Sequence, residues 1–356
     1  MIDLTKEQQD VVRALVKNTS SQHVQTLGGY AGTGKSTVVT WLAEALQEFA
    51  ICAYTGKAAN VLRVKGLTAT TIHSLIYELV RLPNGGIEFH LKTPERMGCK
   101  GFIVDEASMV SKEIYEDLLS FSMPIIFVGD HGQLEPVGQD VNVMARPQYR
   151  LEKVHRNAGE IAHFAEHIRK GNHSRTFKGG TKVEFMEPSA ANDDALCQPD
   201  QIICAYNRFR VEINGRVRHA VGNTGMIQVG EKIMCLRNNK PVGLFNGMQG
   251  NVTKLRKGNK FDFLAGNTVF TEIPYDPRQF GKEKNVFEFG ADTPNPFDYA
   301  YCITAHKSQG DEWNKVMVFE QVCDKWDHKR WAYTAASRAK EKLIWVCPNQ
   351  YIPAWL

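Results

Sequence analysis

From Leu4 to about Gly180 the chain alternates stretches of helical periodicity with short apolar runs that end in Gly, Asp or Thr. Strands covered on both faces read as nearly continuous apolar runs, and the segments between these runs are long enough for crossover helices. The pattern therefore predicts a parallel sheet wrapped by helices. Val24 to Leu27, Ile51 to Tyr54, Phe102 to Val104 and Ile125 to Val128 are the predicted strands. Between Ile76 and Lys92 two alternating segments flank Pro83-Asn84-Gly85-Gly86, and Asn-Gly between such runs is the strongest local signal for a hairpin. From Gly230 to about Phe289 the signal changes to short β-rich pieces divided by Gly or Asn-Gly, which predicts a small inserted barrel. Beyond Pro294 and Pro296 the pattern returns to a strand at Tyr299 to Thr304 and a helix-and-strand pair from Trp331 to Val346.

At 356 residues the chain exceeds what one hydrophobic core usually holds, so two domains with insertions are expected. Hydrophobic residues at 43% and charged residues at 23% exclude a disordered chain. A formal net charge of +4 neither requires nor excludes a polyanionic partner, because a local basic stripe can hide in a near-neutral total. The eight cysteines form no Cys-x-x-Cys pair and are read as reduced thiols. No segment approaches about 18 uninterrupted apolar residues and the N-terminus does not read as a signal peptide, so a cytoplasmic protein with no membrane partner is expected.

Chemistry enters at Gly29-Tyr-Ala-Gly32-Thr33-Gly34-Lys35-Ser36, followed by Thr37, between a predicted strand and a predicted helix starting near Lys35. This is the spacing and the context of a phosphate loop. Small residues let backbone N–H groups approach phosphate, and the helix N-terminus adds its positive end. Lys35 can reach the β and γ phosphates and the Ser36 hydroxyl can ligate Mg²⁺. Gly101-Phe-Ile-Val-Asp105-Glu106 delivers two carboxylates at a strand's carboxyl end, with Asp105 suited to Mg²⁺ and Glu106 to polarising an attacking water. In Phe127-Val-Gly129-Asp130-His-Gly-Gln133 the amide of Gln133 either senses the γ phosphate or ties its own loop. Together these elements describe an NTP-hydrolysing site, without saying what it drives. Two later runs add an arginine each, Arg156 in Leu151-Glu-Lys-Val-His-Arg156 and Arg338 in Tyr333-Thr-Ala-Ala-Ser-Arg338-Ala339, and either could serve as an arginine finger.

With Thr304-Ala-His306-Lys-Ser-Gln309-Gly310-Asp-Glu312 added, the ordered set resembles the superfamily-one helicases, in the RecD-like branch that holds the Dda-type helicases of bacteriophages. Leu4-Thr-Lys-Glu-Gln8 resembles the Q motif, Tyr54-Thr55-Gly56-Lys57-Ala58-Ala59 motif Ia, and Thr71-Ile-His73 motif Ib. Asp105-Glu106-Ala-Ser resembles motif II and Gly129-Asp130-His-Gly-Gln133-Leu-Glu-Pro-Val motif III, while the three runs above stand as motifs IV, V and VI. Two departures bear on the strand contacts: Tyr54 stands where such helicases usually have proline, and Glu135 replaces the first proline of motif III.

The resemblance implies two RecA-like parallel-sheet domains, the first over 1–75 and 93–155, the second over 156–229 and 298–356. It implies a β-hairpin pin at 76–92 that splits duplex, and an SH3-like barrel at 230–297. By resemblance Gln8 contacts adenine, Gly310 and Glu312 face the nucleotide, and Arg156 and Arg338 act on the γ phosphate. Thr5-x-x-Gln8 also fits a helix capping box, which competes for the same amide. Tyr54, Thr55, Lys57, His73, Thr304 and His306 would line a single-strand track, with Phe89 on the hairpin meeting the barrel or covering only its own strands. The expected function is an ATP- and Mg²⁺-dependent DNA helicase moving 5′ to 3′ on single-stranded DNA and opening tailed duplex DNA. It would act as a monomer or loose assembly, alongside replication or recombination proteins. A single-strand translocase that displaces proteins without unwinding, or an ATP-switched strand binder, would share most of these motifs.

Overall fold

The computed structural model describes residues 3–81, 87–135, 142–154, 159–239, 242–286, 293–322 and 327–347. The chain divides into two compact units, Met1–His163 and Phe164–Leu356. The expected division at 155/156 falls on residues 155–158, outside the described ones.

The first unit opens with α1 (Lys6–Asn18), then β1 (Val24–Gly29), α2 (Lys35–Ala45), β2 (Phe49–Ala53), α3 (Gly56–Val64), β3 (Ala69–Thr71) and α4 (Ile72–Ile76). After β4 (Tyr77–Arg81) and β5 (Ile87–Leu91) come β6 (Gly101–Asp105), α5 (Lys112–Ser120), β7 (Ile125–Gly129) and β8 (Tyr149–Leu151), with α6 (Gly159–Arg169) running across the division. Six strands form one sheet in the order β3-β2-β6-β7-β1-β8, and every pairing in it is parallel. Alternate residues serve opposite faces, because successive side chains on a strand point to opposite sides. Ile51, Ile103, Ile126 and Val128 pack with α1, α2 and α3 residues such as Leu15, Leu42 and Leu62. Cys52, Phe102, Val104, Ile125 and Phe127 pack with Ile72 and Ile76 of α4 and Ile114 and Leu118 of α5. Covering both faces leaves only the strand ends open for chemistry.

β4 and β5 pair antiparallel from Tyr77↔Leu91 to Arg81↔Ile87 as a separate two-stranded sheet. The expected Asn84-Gly85 turn lies outside the described residues.

The second unit continues with β9 (Val183–Met186), α7 (Asp193–Leu196), β10 (Gln201–Cys204) and α8 (Asn207–Ala220). There follow β11 (Lys232–Cys235), β12 (Gln249–Arg256), β13 (Lys260–Ala265), β14 (Thr268–Pro274) and β15 (Phe297–Tyr299). The chain closes with β16 (Cys302–Thr304), β17 (Trp313–Phe319), α9 (His328–Ala336) and β18 (Ala339–Val346). A second all-parallel sheet runs β16-β10-β17-β18-β9, and a five-stranded antiparallel sheet runs β14-β13-β12-β11-β15. The single strand expected over Tyr299 to Thr304 is in fact two strands in two sheets. β15 pairs antiparallel with β11 and β16 pairs parallel with β10, so Ala300 and Tyr301 carry the chain from one sheet to the other. Apolar periodicity does not register such a crossing, since both segments are buried.

The antiparallel sheet packs its own aromatic core, with Phe261 stacked on Tyr275 at 4.9 Å and edge-on to Phe297 at 5.0 Å. It is fastened to α8 by two arginines, Arg210 buried and Arg218 half-buried. Arg210 pairs with Asp298 at 2.6 Å, and Arg218 pairs with Glu231 at 2.5 Å while lying 4.0 Å over the Tyr299 ring. No helix among the described residues is long and apolar enough to cross a membrane, and their seven cysteines are free.

Candidate nucleotide site and strand-contact residues

Three neighbouring strands, β6, β7 and β1, end side by side, and Gly28 lies directly across from Gly129. The sequence elements with phosphate chemistry leave those three ends, where an open parallel sheet binds ligands. The loop after β1 turns at Gly32 (φ 77°) and Gly34 (φ 84°), left-handed conformations that a side chain disfavours. A Cβ on Gly29 would meet Lys35 Cγ and Thr33 Oγ1, each at 2.8 Å, so glycine here allows the lysine to fold back along the loop. α2 then starts at Lys35 with no side-chain cap on Gly34, leaving its first N–H groups for an anion.

Lys35 Nζ donates to the carbonyls of Gly29 at 2.7 Å and Tyr30 at 3.1 Å, and lies 3.7 Å from the Asp130 carboxylate. At the end of β6, burial pushes the Asp105 carboxyl above the usual carboxylate range, opposed by the Glu106 backbone N–H and by the Lys35 charge. Its Oδ1 accepts that N–H at 3.0 Å. Glu106 itself is held at φ 53°, ψ 40°, a left-handed backbone costing about 1 kcal/mol or more for a non-glycine residue. The strain turns the chain sharply at the point where both carboxylates are presented.

Ser36 and Asp105 offer a hydroxyl and a desolvated carboxylate, an oxygen-only pair that suits Mg²⁺ with its remaining ligands drawn from phosphate and water. Among the described residues no group of three or more His, Cys, Asp or Glu makes a metal cage by itself.

Gln8 is buried and its amide is committed at both ends. Its Oε1 accepts the Thr5 backbone N–H at 3.0 Å and its Nε2 donates to Thr33 O at 3.0 Å, so the capping box of α1 is also a strut under the phosphate loop. Gln133, also buried, donates from Nε2 to Asp130 Oδ2 at 3.3 Å. The sequence reached Asp130 only as part of a motif, because its place beside Lys35 depends on β7 lying next to β1 in the sheet. It likewise missed the ring contact at 4.2 Å between Tyr30 of the phosphate loop and His131.

The strand-contact candidates of the first unit gather at the ends of β2 and β3. The Thr55 hydroxyl caps α3 by accepting the Ala58 N–H at 3.1 Å. Tyr54 meets His73 edge-on at 6.3 Å, and His73 meets Tyr77 at 5.7 Å, a row of rings leading to the first strand of the hairpin. Tyr77 hydroxyl bonds the Asp117 carboxylate, which anchors that row to α5. Phe89 on β5 is 47% exposed. The Lys57 side chain and all of Arg156 lie outside the described residues.

In the second unit Thr304 ends β16 and is buried, and burial lowers the pKa of the half-buried His306, favouring the neutral ring. Gly310 turns at φ 77°, while Glu312 is exposed and 3.4 Å from Lys340. Arg338 is 4% exposed, and its guanidinium donates to Thr334 O at 2.9 Å, Asp311 O at 3.2 Å and Ser337 Oγ at 2.8 Å. All three acceptors are neutral, which leaves a buried cation with no carboxylate among its described partners.

The sequence profile described as AAA domain matches residues 3–186, and that described as UvrD-like helicase C-terminal domain matches residues 299–346. The chain is 27% identical to the ATP-dependent RecD2 DNA helicase of Deinococcus radiodurans over 383 residues, covering 96% of this chain and 48% of that protein. It is 29% identical over 213 residues to the ATP-dependent DNA helicase dda of Enterobacteria phage T4, covering 54% of this chain and 48% of that one. It thus spans about half the length of these curated relatives. Among solved structures, the fold is similar to the Pif1 helicases coordinating at forked dsDNA, with TM-score 0.64 and 20% identity over 99% of this chain and 93% of that one. It is similar also to Bacteroides Pif1 bound to ssDNA, with TM-score 0.62 and 19% identity over 99% and 93%.

Proposed function

The chain belongs to the AAA domain family and to the RecD-like branch of the superfamily-one helicases, and from that premise we propose that it is an ATP-dependent DNA helicase moving along single-stranded DNA. The observation that carries the reading is the meeting of three strand ends. Lys35 on the phosphate loop, the Asp105–Glu106 pair and the turn bearing Gln133 follow β1, β6 and β7, which are neighbours in one parallel sheet.

Each residue then has a task that phosphoryl transfer requires. Lys35 and the first N–H groups of α2 hold the phosphates. When bound between Ser36 and Asp105, Mg²⁺ supplies neutralisation of phosphate charge. Glu106 orients the attacking water. Arg338, buried against neutral acceptors, answers the charge that develops on the γ phosphate, and Arg156 is proposed as a second such group. Gly310 and Glu312 are proposed to contact the nucleotide, as the resemblance implies. A desolvated guanidinium is worth most to an anion because little water competes with it.

For the strand, the ring row Tyr54, His73 and Tyr77 supplies stacking surfaces indifferent to base identity, while Thr55, Lys57, Thr304 and neutral His306 supply polar contacts to the backbone. The β4–β5 hairpin with exposed Phe89 is proposed as the element that parts the duplex, and 5′ to 3′ is the proposed polarity.

ATP hydrolysis with and without single-stranded DNA, together with opening of duplexes bearing a 5′ or a 3′ tail at one fixed salt concentration, tests the proposal. DNA-stimulated turnover with opening of the 5′-tailed duplex alone is the expected outcome. Stimulated turnover with neither duplex opened leaves a translocase and removes the hairpin's role, and opening of the 3′-tailed duplex reverses the polarity.

A further inference from the structure

The carboxylate of Asp130 has no part in the phosphate, metal or strand assignments above, yet it is 1% exposed and sits beside the lysine on which they depend. Its Oδ2 lies 3.7 Å from Lys35 Nζ and accepts from Gln133 Nε2 at 3.3 Å, while its Oδ1 accepts the Gly132 backbone N–H at 2.9 Å. An ammonium has three N–H donors. Two of those on Lys35 are taken by the carbonyls of Gly29 and Tyr30, which leaves the third side for Asp130. Within the same turn His131 packs against Tyr30 of the phosphate loop. The ammonium, the loop and the turn bearing Gln133 are therefore one network, with a buried anion at its centre.

A buried carboxylate at that distance uses the same positive charge that a phosphate needs, and in a water-poor setting the two anions also repel. We propose that Asp130 is a positioning residue that competes with the nucleotide's phosphates for Lys35, and that its loss of Lys35 on nucleotide binding transmits occupancy to Gln133 and the His131 turn. This rests on reading Gly29 to Ser36 as the nucleotide site, and it goes beyond that reading by giving Asp130 a definite sign. The residue holds nucleotide affinity down in exchange for coupling.

The sign makes the test sharp, because most changes in a site weaken binding. Asp130→Asn keeps an oxygen for the Gly132 N–H and removes the charge. Measured on the full chain with Mg²⁺, ADP binding should tighten about 3- to 10-fold, ten-fold being 1.4 kcal/mol. The KM for ATP should fall with it, and the ratio of DNA-stimulated to basal turnover should drop. In a Lys35→Ala background the same substitution should leave ADP affinity unchanged, since the effect acts through the ammonium. Gln133→Leu should act the other way, weakening ADP binding a few-fold, because Asp130 then loses a competing donor and ADP carries no γ phosphate for Gln133 to touch.

Unchanged or weaker ADP binding by Asp130→Asn, with thermal unfolding like that of the wild type, overturns the proposal. So does a tightening that persists without Lys35. If Asp130→Asn does not fold, an ADP affinity left unmoved by Gln133→Leu overturns it equally. Failure of the wild-type chain to bind ADP overturns the nucleotide-site reading itself.

Discussion

The two units each build an all-parallel sheet, but they treat charge differently near it. In the first, Lys35 has Asp130 at 3.7 Å and Asp105 within its field, so cation and anions sit together and offset one another. In the second, the Arg338 guanidinium is more deeply buried than Lys35, but its described partners are two carbonyls and a hydroxyl. A balanced cluster holds its geometry with nothing bound, whereas a buried cation among neutral acceptors is held at an energetic cost that a ligand anion would relieve. The comparison separates a site arranged around its own charges from a residue kept in readiness for a charge from outside.

The largest expected effect comes from breaking the balanced side. Lys35→Ala should cut ATP turnover by about a thousandfold or more, since it removes the group that reaches both phosphates, and steady-state hydrolysis measures it directly. Retained turnover would mean that the cluster is structural. The next effect comes from the unbalanced side. Arg338→Met should lower kcat by about 10²- to 10³-fold while ADP affinity changes little, as expected of a group acting on the transition state. Thermal stability should change little, because relief of a buried charge with no carboxylate among its described partners offsets the three hydrogen bonds lost. A loss of stability with turnover preserved would make Arg338 a brace for α9 and would erase the contrast. The smallest effect comes from the strut under the loop. Gln8→Ala removes two hydrogen bonds and leaves Thr33 O buried without that donor, costing about 1–2 kcal/mol and lowering the unfolding midpoint by about 2–8 °C. The KM for ATP should rise a few-fold with kcat nearly kept.

Much of this arrangement is legible in residue order. The phosphate loop, the Asp105–Glu106 pair and the Gly129–Gln133 turn each follow an apolar run, so their attachment to the ends of β1, β6 and β7 follows from the apolar pattern alone. The capping box at Thr5 and Gln8 was legible too, because it depends on four consecutive residues. The second bond of Gln8, to Thr33, was not, since nothing local says which loop a helix start will meet. The crossing of the chain between β15 and β16 was hidden for a similar reason, as buried residues of either sheet look alike in sequence.

What the sequence determined by itself is the chemical inventory and its local placement: the strands that carry the nucleotide site, which loops follow them, and which groups can hold phosphate. These follow from propensity, periodicity and spacing, which act over a few residues. The tertiary structure decided who answers whom. Strand order β6-β7-β1 set Asp130 beside Lys35, and packing set the α1 start beneath Thr33 and Arg338 among two carbonyls and a hydroxyl with no carboxylate among its described partners, because electrostatic energy depends on distance and burial in space and not on separation along the chain.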